Sequence, residues 1–247
     1  MNKVVILLLA VTSFTVMAQA NDSVIKPVPF ISLKNNSEQY ASICRANGVE
    51  CTDKTKIWKE KGAEDVFYLT GPSLELIKIR SVQGAYIKQG QWDFSEYHDN
   101  GSSPDDELTK EDVYIYPALY PLNKTRQAVA LVTKWSTGYS GGGRSAEYAD
   151  FLMLNDDGSY RTAFKNISFF SSEMIRACFS EEDYAKKSHC HDESWSTLSL
   201  KFIDEGKAYY TWKFITKSSD WPSFTERSSA TVETREQVAY PFQSEGQ

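Results

Sequence analysis

AVALVTKWSTGYSGGGRSAEYADFLMLNDDGSYRTAF, residues 128–164, reads as an apolar strand, a glycine-rich loop, an apolar strand, a tight turn and a third strand. In the run 128–135, Val129, Leu131 and Trp135 point one way and Ala130 and Val132 the other. Apolar residues on both sides are what a strand covered on both faces requires. Residues 149–154 are similar. Between them, residues 136–145 hold four glycines, three of them consecutive. Glycine at such density means positive φ or a backbone that something approaches closely. Asn155-Asp156-Asp157-Gly158 is a hairpin signal leading into 159–164. The middle of the chain is therefore expected to be an antiparallel meander, its glycine cluster joining two neighbouring strands.

Outward from the meander the pattern stays β-rich. Residues 66–70, 74–80 and 85–88 read as strands, with Gly71-Pro72 as a turn. Residues 113–121 are aromatic and proline-punctuated, better suited to an edge strand or packed loop than to a central strand. Residues 167–170 form another strand. In 197–203, Leu198, Leu200 and Phe202 alternate with Thr197, Ser199 and Lys201. After Asp204-Glu205-Gly206-Lys207, the alternation resumes in 208–216 with Tyr210, Trp212 and Phe214 on one face, and a last strand is expected within 230–240. Helices are short: 37–46, a second over 53–61 capped by Thr52, and two that Ser172 and Ser180 could begin, the latter over 181–187. The acids of 181–187 lie in its first turn and the lysines in its last, as the helix dipole prefers. Residues 92–112 are polar and read as a surface loop. The expected fold is one mainly β domain over 21–247, an antiparallel sandwich or partly closed barrel with short disulfide-tied helices at its margins.

The first twenty residues have the parts of a cleaved secretory signal: Lys3, an apolar core over 4–11 and Ala18-Gln19-Ala20 as a small-x-small cleavage site. That apolar run is too short for a good membrane span, and no second candidate follows. A periplasmic or secreted product is expected. Four cysteines in an exported chain imply two disulfides. Three pairings are possible; the local one joins Cys44 to Cys51 and Cys178 to Cys190. Formal net charge is −6, and loss of Lys3 makes it one unit more negative. An acidic chain without a basic run argues against nucleic acid and anionic membranes as partners.

Three sets of residues could carry function. Gly138-Tyr139-Ser140-Gly141-Gly142 matches G-x-S-x-G, the nucleophile elbow of serine hydrolases. Asp183 with His189 or His191 would then supply acid and base. The pattern around Ser140 opposes this, because a strand rather than a helix is expected after Gly143 and no strand–helix alternation surrounds it. Second, His189 and His191 flank Cys190, and with Asp192, Glu193 or His98 they offer ligands for Zn²⁺ or Cu²⁺. No standard zinc spacing is present. Third, Trp135, Tyr139, Arg144 and Tyr148 gather aromatic and guanidinium groups around the glycine loop, residue types enriched in binding hot spots. Arg176 could pair with Asp183 or a ligand carboxylate, and the acidic run Asp105-Asp106-Glu107 could meet a basic partner. Trp135, Trp195 and Trp212 are nevertheless expected to be packing residues, as tryptophans in β cores commonly are. The function expected is a non-catalytic binding protein without cofactor, for instance a periplasmic inhibitor or immunity protein that meets a protein partner. A serine hydrolase using Ser140 is the alternative and a metal-binding protein the third.

Overall fold

A computed structural model describes residues 24–35, 37–97, 107–186 and 189–243. Among the described residues thirteen antiparallel strands form one continuous sheet that does not close. The expected meander is its centre: β8 (Gln127–Tyr139), β9 (Gly142–Leu154) and β10 (Tyr160–Arg176) pair in sequence. Beyond β10 the sheet continues through β11 (His191–Ile203), β12 (Thr211–Trp221) and the edge strand β13 (Thr231–Ala239). On the other side of β8 lie β7 (Ala118–Pro121) and β1 (Val28–Ser32). After them come β2 (Lys56–Glu60), β3 (Val66–Thr70), β4 (Glu75–Val82) and the second edge strand β5 (Ala85–Asp93). β6 (Thr109–Ile115) pairs with β8 beyond the end of β7. The helices are α1 (Glu38–Ala46) and α2 (Glu181–Lys186).

The two-sided burial of β8 organises three layers of core. Ala128, Ala130 and Val132 face a core containing Tyr120, Phe151, Phe164, Phe202, Trp212 and Phe214. Val129 and Leu131 face another, with Phe30, Tyr68, Leu76, Trp92 and Phe94 on the far side. The first core exists because the sheet curls: Trp212 of β12 reaches Tyr120 of β7, ring centroids 6.1 Å apart, and Tyr210 N donates to Leu122 O. The second exists because β1 and β3–β5 fold back over β7–β9. In β3, Val66 and Tyr68 join that second core, while Phe67 and Leu69 turn outward to a third beneath Tyr40 and Ile43 of α1.

Ser37 caps α1, its hydroxyl accepting from Tyr40 N at 3.2 Å. Ser180 caps α2 likewise, accepting from Asp183 N at 3.2 Å. Both disulfides are the local ones, Cys44–Cys51 and Cys178–Cys190.

Several expectations are overturned. No helix occupies 53–61; after a turn closed by Thr55 N donating to Thr52 O, β2 begins at Lys56. Pairing with β1 and β3 and burial of Ile57 outweigh the helix-compatible letters. Cys44–Cys51 therefore ties α1 to a loop, not to a second helix. Ser172 caps nothing, since it lies inside β10. Residues 113–121 contribute to two strands, and β7 is interior, held between β8 and β1. Its prolines are accommodated because Pro117 lies between β6 and β7 and Pro121 ends β7. The glycine-rich loop shrinks to Ser140-Gly141, the neighbouring glycines being strand.

Candidate functional site

The β8–β9 hairpin carries the residues singled out as a contact surface. Tyr139 pairs with Gly142, so only two residues form the turn. Gly138, Gly141, Gly142 and Gly143 are absent from the positions with positive φ, so left-handed backbone is not what requires them. Close approach is what requires Gly142, where a methyl would run into the Met174 carbonyl oxygen and touch the Tyr139 ring, whereas at Gly138 it would meet open space and at Gly141 only an ordinary contact. A methyl on Gly143 would lie 3.2 Å from Thr137 O.

Trp135, Tyr139, Arg144 and Tyr148 have the strand parity that places them on one face of this hairpin. Trp135 is buried with Leu108, Ala146 and Tyr148, so it and Tyr148 are packing residues. Tyr139 is 43% exposed, and Arg144 stands directly across from Glu173 of β10. Desolvation, then the Glu173 carboxylate, raises the Tyr139 phenol above its ordinary value.

Beside the tip, β10 ends in an exposed apolar pair, Met174 and Ile175. The chain then turns through Cys178, where the disulfide holds it against β11, and presents Phe179 at 73% exposure and Tyr184 at 54%. Arg176 braces this corner. Its Nε donates to Cys178 O at 2.6 Å, and its guanidinium lies 5.4 Å from the Phe179 ring centroid and 5.8 Å from that of Tyr184. Asp183 serves as a cap, Oδ2 accepting from Phe179 N and Ser180 N at 3.1 Å.

Ser140 is exposed at a strand-to-strand turn, and its hydroxyl bonds to neither histidine. The strand-to-helix turn that an elbow serine needs is therefore not its setting. His189 lies flat against Trp221, ring centroids 3.4 Å apart, with Nδ1 3.9 Å from the Glu193 carboxylate. His191 pairs with Arg176 in the β10–β11 ladder, and Asp192 Oδ1 accepts from Ser223 N at 2.7 Å. Among the described residues no group of three or more His, Cys, Asp or Glu side chains is placed to hold a metal ion. His98, Asp105 and Asp106 lie outside the described residues.

Two features escape a reading of the sequence. One is Phe179 with Tyr184; a phenylalanine after a cysteine looks like core until its exposure is known. The other is a stack in which Arg227, from the short 3₁₀ turn between β12 and β13, lies 4.6 Å from the centroid of Trp221 and 5.2 Å from that of Trp195. Only the Trp195 side was legible, and there as packing. Comparison with known protein families, curated proteins and solved structures finds no match.

Proposed function

We propose that this chain is an exported, non-catalytic binding protein that meets a protein partner through the β8–β9 tip and the adjoining Phe179–Tyr184 corner. The observation that carries the reading is the gathering of Tyr139, Met174, Ile175, Phe179 and Tyr184, each at least 43% exposed, at one end of the sheet. Large exposed apolar side chains gathered at one edge are a mark of interaction surfaces, here with Tyr139 and Ile175 on one face of the hairpin end and Met174 on the other. Rigid strands, a disulfide and the Arg176 brace hold them with little entropy left to lose on binding. The two disulfides support a compartment outside the cytoplasm. Among the described residues no helix is long and apolar enough to cross a membrane. In its most concrete form the protein is a periplasmic inhibitor or immunity protein whose two-residue turn enters the cleft of a toxin or cell-wall enzyme.

The test is capture from a periplasmic extract, followed by titration of the purified partner against wild type, Tyr139→Ala/Arg144→Ala and Phe179→Ser. Loss of hot-spot side chains should weaken binding by about thirtyfold, corresponding to ~2 kcal/mol. A specific partner whose affinity is the same for all three proteins would refute this surface.

A further inference from the structure

The curled part of the sheet has an opening away from the hairpin tip. β10 pairs with β11 only from Phe170↔Thr197 toward Arg176↔His191. Before that point β10 departs from regular pairing with β9 three times, between Thr162 and Phe164, Phe164 and Ile167, and Ser168 and Phe170. Bulges bend a strand and increase its twist. Here β10 parts from β11, and a cleft of about 400 Å³ remains between Phe164 and Ile167 on one side and Leu198, Phe214 and Ala239 on the other. A second lobe of about 370 Å³ shares Phe164, Ile167 and Gln243 with the first and is bounded by Phe242.

The chain's own segment after β13 lies at the join. Phe242 N donates to Ala163 O at 3.0 Å, and its ring packs against Tyr209. Phe242 and Asn166 both hold positive φ, 65° and 52°, conformations that side-chain-bearing residues adopt at a cost. Each lobe falls within the ~300–1,000 Å³ of small-ligand sites.

Cationic groups stand at the rim. Lys165, extruded by the bulge, lines the second lobe and is exposed. Arg161 lies over Phe242, its guanidinium 4.2 Å from the ring centroid. Neither makes an ion pair among the described residues, in an acidic protein where many cations do. The nearby carboxylate of Asp150 is already engaged, accepting from Asn166 N at 2.6 Å and from Tyr97 Oη at 2.7 Å.

We infer that this cleft is a binding site for a single-chain anionic amphiphile of the fatty-acid class, its tail between β10 and β11–β13 and its carboxylate at Lys165 and Arg161. Phe164, Ile167, Leu198, Phe214 and Ala239 offer the tail apolar contact within a lining that also carries Asn166, Ser168, Thr216, Gln237 and Gln243, and the cations, unpaired among the described residues, complement the head. This site is separate from the hairpin tip and does not depend on the partner reading.

Fluorescence titration with dansyl-labelled undecanoic acid tests it. Binding should saturate at one probe per chain and be reversed by dodecanoate. Lys165→Glu, an exposed change that leaves the fold intact by circular dichroism, should weaken binding by about tenfold. Ile167→Trp, or Ala239→Phe on the edge strand if the first does not fold, should abolish it by filling the cleft. Absence of saturable binding to the wild type overturns the proposal. So does wild-type affinity in the charge and filling variants, or dodecanol competing as well as dodecanoate.

Discussion

Tyr68 is 1% exposed, stacked on Phe30 with centroids 4.3 Å apart, and donates its phenol proton to Glu60 Oε2 at 2.9 Å. Burial first, and the Glu60 charge second, raise its pKa far above the ordinary 10.0. Tyr120 and Tyr114 are raised too, chiefly by burial. A raised folded-state pKa means that the unfolded chain releases its proton first as pH climbs. The contribution of these phenols is therefore complete below about pH 10 and lost progressively above it. Thermal melts of the wild type should show stability falling above that pH. Tyr68→Phe should make that fall shallower, while losing about 0.5–1.5 kcal/mol at neutral pH with the hydrogen bond. An unchanged alkaline slope would mean that Tyr68 does not take part.

The β8–β9 hairpin shows how an element is specified by what passes beside it. At Gly138 an added methyl meets open space, whereas at Gly142 it meets the Met174 carbonyl of β10. Gly138→Ala should leave stability unchanged or raise it by up to ~1 kcal/mol, because the unfolded chain loses freedom. Gly142→Ala must push β10 away and should cost more than ~2 kcal/mol, with faster amide exchange at Met174 and Ile175. Equal melting temperatures for the two variants would show that β9 and β10 approach less closely than described. The three-glycine run looks like turn chemistry on paper. The crowding at Gly142 is set by a strand about thirty residues away, which no local pattern reveals.

Across the whole molecule the two disulfides fasten separate parts of the sheet's periphery. Cys44–Cys51 holds α1 to the approach of β2, and Cys178–Cys190 holds the end of β10 to the start of β11. By loop-closure entropy each contributes roughly 2–3 kcal/mol. Paired Cys→Ser variants of each bridge should lower stability by about that amount in denaturant unfolding. Their losses should add to within ~0.5 kcal/mol, since they tie different elements. A combined loss well below the sum would place both bridges in one cooperative unit.

The order of residues by itself determined the central meander, the two-sided burial of β8, the Asn155–Gly158 turn, the helix beginning near Ser37 and the cap at Ser180, while for the cysteines it offered the local pairing as one of three. Each depends on side-chain period or on groups a few residues apart. Tertiary structure alone decided that 56–60 is a strand, that proline-flanked β7 is interior, which of the three cysteine pairings forms and that Phe179 is exposed. It also decided where β10 leaves β11 and a cleft remains. Those outcomes depend on which distant strands pair and how far the sheet curls, and that balance is struck by burial and backbone hydrogen bonding across the molecule rather than by neighbours in the chain.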